Sequence, residues 1–160
     1  MRISLRRFIV LQVLLLWQGG FLFYTAVVVP TGTSVLGSSA AQGAITARVT
    51  DAINAIGVVA LFVFAAEIGL TRDPIARRTR GRWWCWWLLF LSLALLLYCH
   101  RLLDALMDPD RTRVVIHPPF YFVHRVYLWT STAQWLVGLV LAWLTLLAWR
   151  AEDKSPDPTT

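Results

Sequence analysis

Four apolar runs leave this chain little freedom in how it folds. They lie at 8–29, 44–70, 83–108 and 120–150. At about 1.5 Å of rise per residue, the first spans about 33 Å as a helix, and a bilayer's hydrocarbon core is about 30 Å thick. Within that core a backbone must satisfy its own polar groups, which an α-helix does. The expected fold is therefore all-α, a four-transmembrane-helix bundle made of two hairpins. It forms one domain over 1–153, followed by a disordered cytoplasmic tail at 154–160.

Between the second and third runs lies Thr71–Arg82, which holds Arg72, Arg77, Arg78, Arg80 and Arg82 against one acid, Asp73. Short arginine-rich loops stay on the cytoplasmic side of a membrane. With Arg2, Arg6 and Arg7 before the first run and Arg150 and Lys154 after the last, this loop places both termini inside. The other side carries Arg48, Arg101, Arg111, Arg113 and Arg125, offset by Asp51, Asp104, Asp108 and Asp110. Only 15% of the residues are charged, against about 25% in soluble domains. The net charge of +6 thus reads as membrane topology, and nucleic acid is not an expected partner. The expected setting is the bacterial inner membrane, crossed several times. The partners are the lipid bilayer and a second copy or another membrane protein. Ser39–Ala41 resembles a signal-peptidase site, but the preceding apolar stretch exceeds the roughly 7–15 residues of a signal core.

Pro30 is expected to end the first helix, with Thr31–Gly43 as a loop beyond it. Gly19-Gly20 offers a place for close helix contact. Trp83, Trp84, Trp86 and Trp87 mark the inner interface, Tyr127, Trp129 and Trp135 an outer aromatic belt, and Trp149 an inner one. His117 falls in a charged loop. Cys85 and Cys99 stand about 21 Å apart on one helix and cannot bridge each other.

Depth gives the candidate site. Counting about 24 Å outward from Arg7, Leu70, Trp84 and Arg150 lands near Tyr24, Asn54, His100 and Gln134, one polar side chain per helix. One turn further out lie Asp51, Asp104 and Ser131, and beyond them an outer mouth of Arg48, Asp108, His124 and Arg125. The expectation is a polar pocket that narrows inward from the outer face. His100 and Asp104 share a helix face at i, i+4. They suit a polar clamp in which His100 meets Asn54 or Gln134, or a proton relay with Asp104 orienting the imidazole. His124 and His100 differ by about 15 Å in depth, which disfavours both binding one haem. At the inner end, Gln12 and Glu67 share a shallow depth. Glu67 is expected to snorkel or to pair with Arg72, a coupling carboxylate being the alternative.

The chain has no GxSxG, HExxH, P-loop or GxGxxG motif. No catalytic residue, metal ligand set or cofactor is assigned. The segments GGFLFYTAVVVPTG (Gly19–Gly32) and HRVYLWTSTAQWLVGL (His124–Leu139) resemble small bacterial four-helix membrane proteins grouped as a domain of unknown function, which implies a four-helix bundle and no reaction. A weaker similarity is to copper-resistance membrane domains of the CopD type, although Met1 and Met107 are the only methionines. The leading expectation is a non-enzymatic structural or partner-binding membrane module. The alternatives are a small transporter or proton-relay subunit using His100 and Asp104, and a redox module that binds haem or quinone.

Overall fold

A computed structural model describes residues 2–108 and 117–154. The chain is an all-α four-helix bundle whose four helices are each long and apolar enough to cross a membrane. The first span is built from α1 (Arg2–Leu14), α2 (Gly20–Phe23) and α3 (Val29–Leu36), joined by π-helical turns at Leu15–Gly19 and Tyr24–Val28. The other spans are α4 (Ser39–Leu70), α5 (Ala76–Ala105) and α6 (His117–Glu152). α5 and α6 pack most extensively on each other, α4 packs on α5, and the first span leans on α4.

Pro30 does not end the first helix. It sits in the opening turn of α3, directly after the second π turn. That wide turn redirects backbone bonding just where proline lacks its N–H. A π turn before the proline is one of the local adjustments by which membrane helices tolerate it. Thr25 and Thr33 bond back to the carbonyls four residues earlier, Phe21 O (2.9 Å) and Val29 O (2.9 Å). The expected Thr31–Gly43 loop shrinks to Gly37-Ser38. Gly37 adopts φ 60°, ψ 12° and sends its N–H to Thr33 O at 3.1 Å, a left-handed cap that glycine takes without steric cost. Ser38 Oγ then caps α4 by accepting from Ala41 N. α5 starts at Ala76, seven residues before the expected Trp83, and α6 at His117 rather than Phe120. Of the loop expected at 110–120, residues 117–120 are helical and 110–116 fall outside the described residues, as does the expected tail beyond Lys154.

The core sits at mid-height. Trp17, Ala60, Leu61, Phe64, Leu89, Leu93 and Leu141 are buried together. Trp17 and Phe64 meet at 6.2 Å between ring centroids. Trp86 bridges α5 to α4 by donating its indole N–H to Leu61 O at 2.8 Å. Gly57 makes the room for Trp17, since a Cβ there would lie 2.9 Å from the indole nitrogen. Gly19 and Gly20, by contrast, face open space and are not the close-contact glycines. Around the core, Val59, Phe62, Leu91, Leu136 and Trp143 are exposed. That is the outer surface of a bundle solvated by hydrocarbon, where packing rather than apolar burial holds helices together.

The end that carries Arg6 and the 71–75 loop, the basic end, is tied by charge. Arg6, Arg7, Arg78 and Arg82 face Glu67, Asp73, Glu152 and Asp153, four cations against four anions drawn from all four spans and the loop. Asp73 accepts from Ile75 N at 2.9 Å and from Arg78 Nε at 2.6 Å. Burial pushes its carboxyl up, but hydrogen bonds from Arg78 and the Ile75 N–H, with the charges of Arg78 and Arg82, together hold it below the usual carboxylate range. The loop tie therefore contributes fully above the ordinary carboxylate pKa and is lost as pH falls through the lowered one.

Candidate functional site

Two polar regions occupy opposite ends of the bundle, with the apolar core between them. The far-end region is the one expected from sequence. His100 on α5 is buried, with its side chain 9% exposed. Its Nε2 lies 2.7 Å from Asp51 Oδ1 on α4 and 3.8 Å from Asp104 Oδ2 one turn along α5. The Asp51 approach is short but not in line for a hydrogen bond. Asp51 is half-exposed and opens this group toward the far end.

The other expected members form a staircase rather than one layer. Gln134 donates to Ser92 Oγ at 3.1 Å, and Ser92 lies eight residues, or about 12 Å, closer to the basic end than His100. Counting from Trp84 and Arg150 as equal depths produced the misalignment. α5 begins seven residues earlier and α6 runs to Glu152, so the two tryptophan-and-arginine landmarks are not level. Tyr24 moves the other way. Its hydroxyl donates to Thr46 Oγ1 at 3.0 Å and accepts from Gln42 Nε2 at 3.3 Å. This clamps the first span to the start of α4, away from His100. Gly32 leaves the space that the Gln42 side chain fills. Of the outer mouth, Arg48 and Arg125 are exposed, Asp108 is half-buried, and His124 stacks on Phe120 at 5.8 Å and 7°.

Between these steps lies a small cavity, about 20 Å³, lined by Trp17, Gln18, Asn54, Tyr127, Ser131 and Gln134 among others. That volume suffices for about one ordered water. Asn54, Ser131 and Gln134 are buried, and Ser131 donates to Tyr127 O at 2.9 Å. Two buried groups remain unpaired: Gln18 Oε1 and Asn54 Nδ2. An acceptor and a donor that both lack partners are the complement of a molecule that donates and accepts, as water does.

Gln18 and Tyr127 were missed in the sequence. Gln18 lies in the first π turn, buried beside Trp17. Gly138 makes its room, since a Cβ there would meet Gln18 Nε2 at 2.6 Å. Tyr127 was read as part of an aromatic belt. Its spacing to Ser131 and Gln134, i, i+4, i+7, was the available signal that all three share a face.

The basic-end region was read only in part. Glu67 is 2% exposed. It accepts from Thr71 Oγ1 and Trp149 Nε1, and its other oxygen lies 3.1 Å from Arg6 Nε. Arg72, the expected partner, instead offers its backbone N–H to Glu152 at 3.1 Å. The first span crosses the end of α4 closely enough for Arg6 to reach Glu67 first. Gln12 faces outward. Arg82 is fully buried, and no acceptor among the described residues makes a hydrogen bond to its guanidinium. Its nearest carboxylate oxygen, Glu67 Oε1, is 3.9 Å away.

Among the described residues, no three His, Cys, Asp or Glu side chains are placed to share a metal ion. Cys85 and Cys99 are free and buried. Comparison with family models, curated proteins and solved structures finds no match to this chain.

Proposed function

We propose that this chain is a multi-pass protein of the bacterial inner membrane with both termini in the cytoplasm. It acts as a non-enzymatic structural or partner-binding module that holds a polar pocket open toward the opposite side. One observation carries this reading: Trp17, Phe64, Leu89, Leu93 and Leu141 pack between the far-end cavity and Glu67. These apolar side chains lie between His100 and Glu67, with a second small cavity at the Glu67 end bounded by Phe64 and Leu141, and they support a one-sided pocket rather than a path. The partner is a second copy or another membrane protein. The orientation follows from the arginines gathered at the basic end. With Ser34→Cys and Pro74→Cys introduced singly into sealed vesicles, a membrane-impermeant thiol reagent added outside the cell-facing bilayer should label Ser34→Cys and spare Pro74→Cys. The reverse pattern inverts the topology. Buried Cys85 and Cys99 keep the background low.

A second reading, a proton-relay subunit, draws on the 2.7 Å approach of His100 to Asp51. Two substitutions separate it from the first. His100→Ala leaves a hole beside Asp51 and Asp104, and should cost about 1–3 kcal/mol of stability. His100→Gln keeps hydrogen-bonding capacity but cannot titrate in this range, so a packing clamp should survive it. A relay should lose proton flux in both variants, measured in vesicles, while His100→Gln stays folded. If both variants match the wild type in stability and flux, His100 serves neither role.

A further inference from the structure

α5 carries its arginines on two faces. Arg78 and Arg82, four residues apart, turn into the bundle, Arg78 onto Asp73 and Arg82 toward Glu67. Arg77 and Arg80 turn outward and are exposed. The internal cluster is already balanced at four cations and four anions, so it has no electrostatic call on this second pair. The outward face continues without a break. Arg77, Arg80, Trp84, Trp87, Leu88 and Leu91 follow one another at helical spacing, and all are exposed. The opposite face, with Cys85, Leu89, Leu93 and Leu96, is the buried one.

Position along the helix then sets what this pair meets. Interfacial indoles sit at head-group level, and Trp84 is 70% exposed on the apolar stripe. Arg80 lies about 6 Å and Arg77 about 10 Å beyond Trp84 along the axis. Two guanidinium groups, flush with an apolar stripe and one to two turns past its terminal tryptophan, lie in the phosphate layer of a bilayer. A guanidinium binds a phosphate through paired N–H donors. A soluble anion would gain the charge contact alone. A phosphodiester tethered to acyl chains gains that contact and also covers Leu88 and Leu91.

We infer that the outward face at the start of α5 is a binding site for the head groups of anionic phospholipids, held by Arg77 and Arg80 with Trp84 beside them. It rests on the membrane reading above. Arg72, exposed in the adjoining loop, adds a third cation nearby.

The test uses the full chain in mixed micelles that contain phosphatidylcholine and phosphatidylglycerol, with retained lipid counted by native mass spectrometry. The wild type should retain phosphatidylglycerol over phosphatidylcholine. Each arginine near an anionic surface is worth about 1 kcal/mol, or about fivefold. Arg77→Gln/Arg80→Gln should therefore lower the retention ratio about 30-fold, and Arg77→Lys/Arg80→Lys should keep most of it. Inorganic phosphate should not displace the lipid. An unchanged ratio in the Gln pair overturns the site, and so does displacement by phosphate, which would mark a general anion patch. Alkaline carbonate extraction of chain-bearing vesicles keeps the two levels apart. Release of the chain removes the membrane reading and the site with it. A chain that stays embedded but shows no lipid preference removes the site alone.

Discussion

Replacing Glu67 with glutamine should destabilise the bundle by about 3–5 kcal/mol, the usual cost of removing one member of a buried charge pair. Glutamine is the informative choice. It keeps an oxygen to accept from Thr71 and Trp149, whose hydrogen bonds to Glu67 are both present, removes the charge, and replaces the oxygen facing Arg6 Nε by an amide NH2. What then remains is Arg82, fully buried, whose nearest carboxylate oxygen was 3.9 Å away, with Arg6 as a second cation beside it. Without Glu67 the cluster has four cations and three anions. The double variant Glu67→Gln/Arg82→Met should recover most of the loss, because an apolar residue of similar length ends the need for a counter-charge. Reversible unfolding in mixed micelles measures both. If Glu67→Gln costs less than about 1 kcal/mol, typical of an exposed ion pair, the cluster is a surface feature and not a tie.

The second large effect belongs to Trp17. Trp17→Ala should cost about 3–5 kcal/mol, since it empties a buried indole site, and Trp17 is 2% exposed. Its neighbour supplies a sharper check through sign. In the wild type, Gly57→Ala places a methyl 2.9 Å from a rigid indole and should cost about 1–3 kcal/mol through overpacking. In the Trp17→Ala background the clash is gone, and the same change should become neutral or stabilising by up to about 1 kcal/mol, the helix-propensity gain of alanine over glycine. A double-mutant cycle in which Gly57→Ala has the same sign in both backgrounds would show that the two residues do not share that space.

Much of the architecture was readable because a bilayer is a strict solvent. Four apolar runs and one arginine-rich loop were enough to set helix number and pairing. Helix ends were less legible. Pro30 reads as a helix stop, but it follows a π turn in the opening turn of α3, and the first span runs on to Leu36. In the candidate site, His100, Asp51 and Asp104 come together because i, i+4 spacing and antiparallel pairing of α4 and α5 are local facts. Gln134 and Tyr24 fall elsewhere because their placement depended on where distant helices begin. A residue count from Trp84 or Arg150 cannot supply that. Arg82 read as one more loop arginine, since nothing in its neighbours distinguishes it from Arg80. Only the helix start at Ala76 separates the inward pair from the outward one.

The link at Gly37-Ser38 has a consequence for how the protein is made. Two residues cannot let the first span and α4 enter a bilayer as independent rods, so the pair inserts as one hairpin. Tyr24, Gln42 and Thr46 lie near its tip and can join before α5 and α6 have been synthesised. A helical pair already fastened at its leading edge buries Tyr24 and Gln42 against each other rather than against lipid while it is still alone. The first hairpin thus carries its own polar contact, made by Tyr24, Gln42 and Thr46 without α5 or α6.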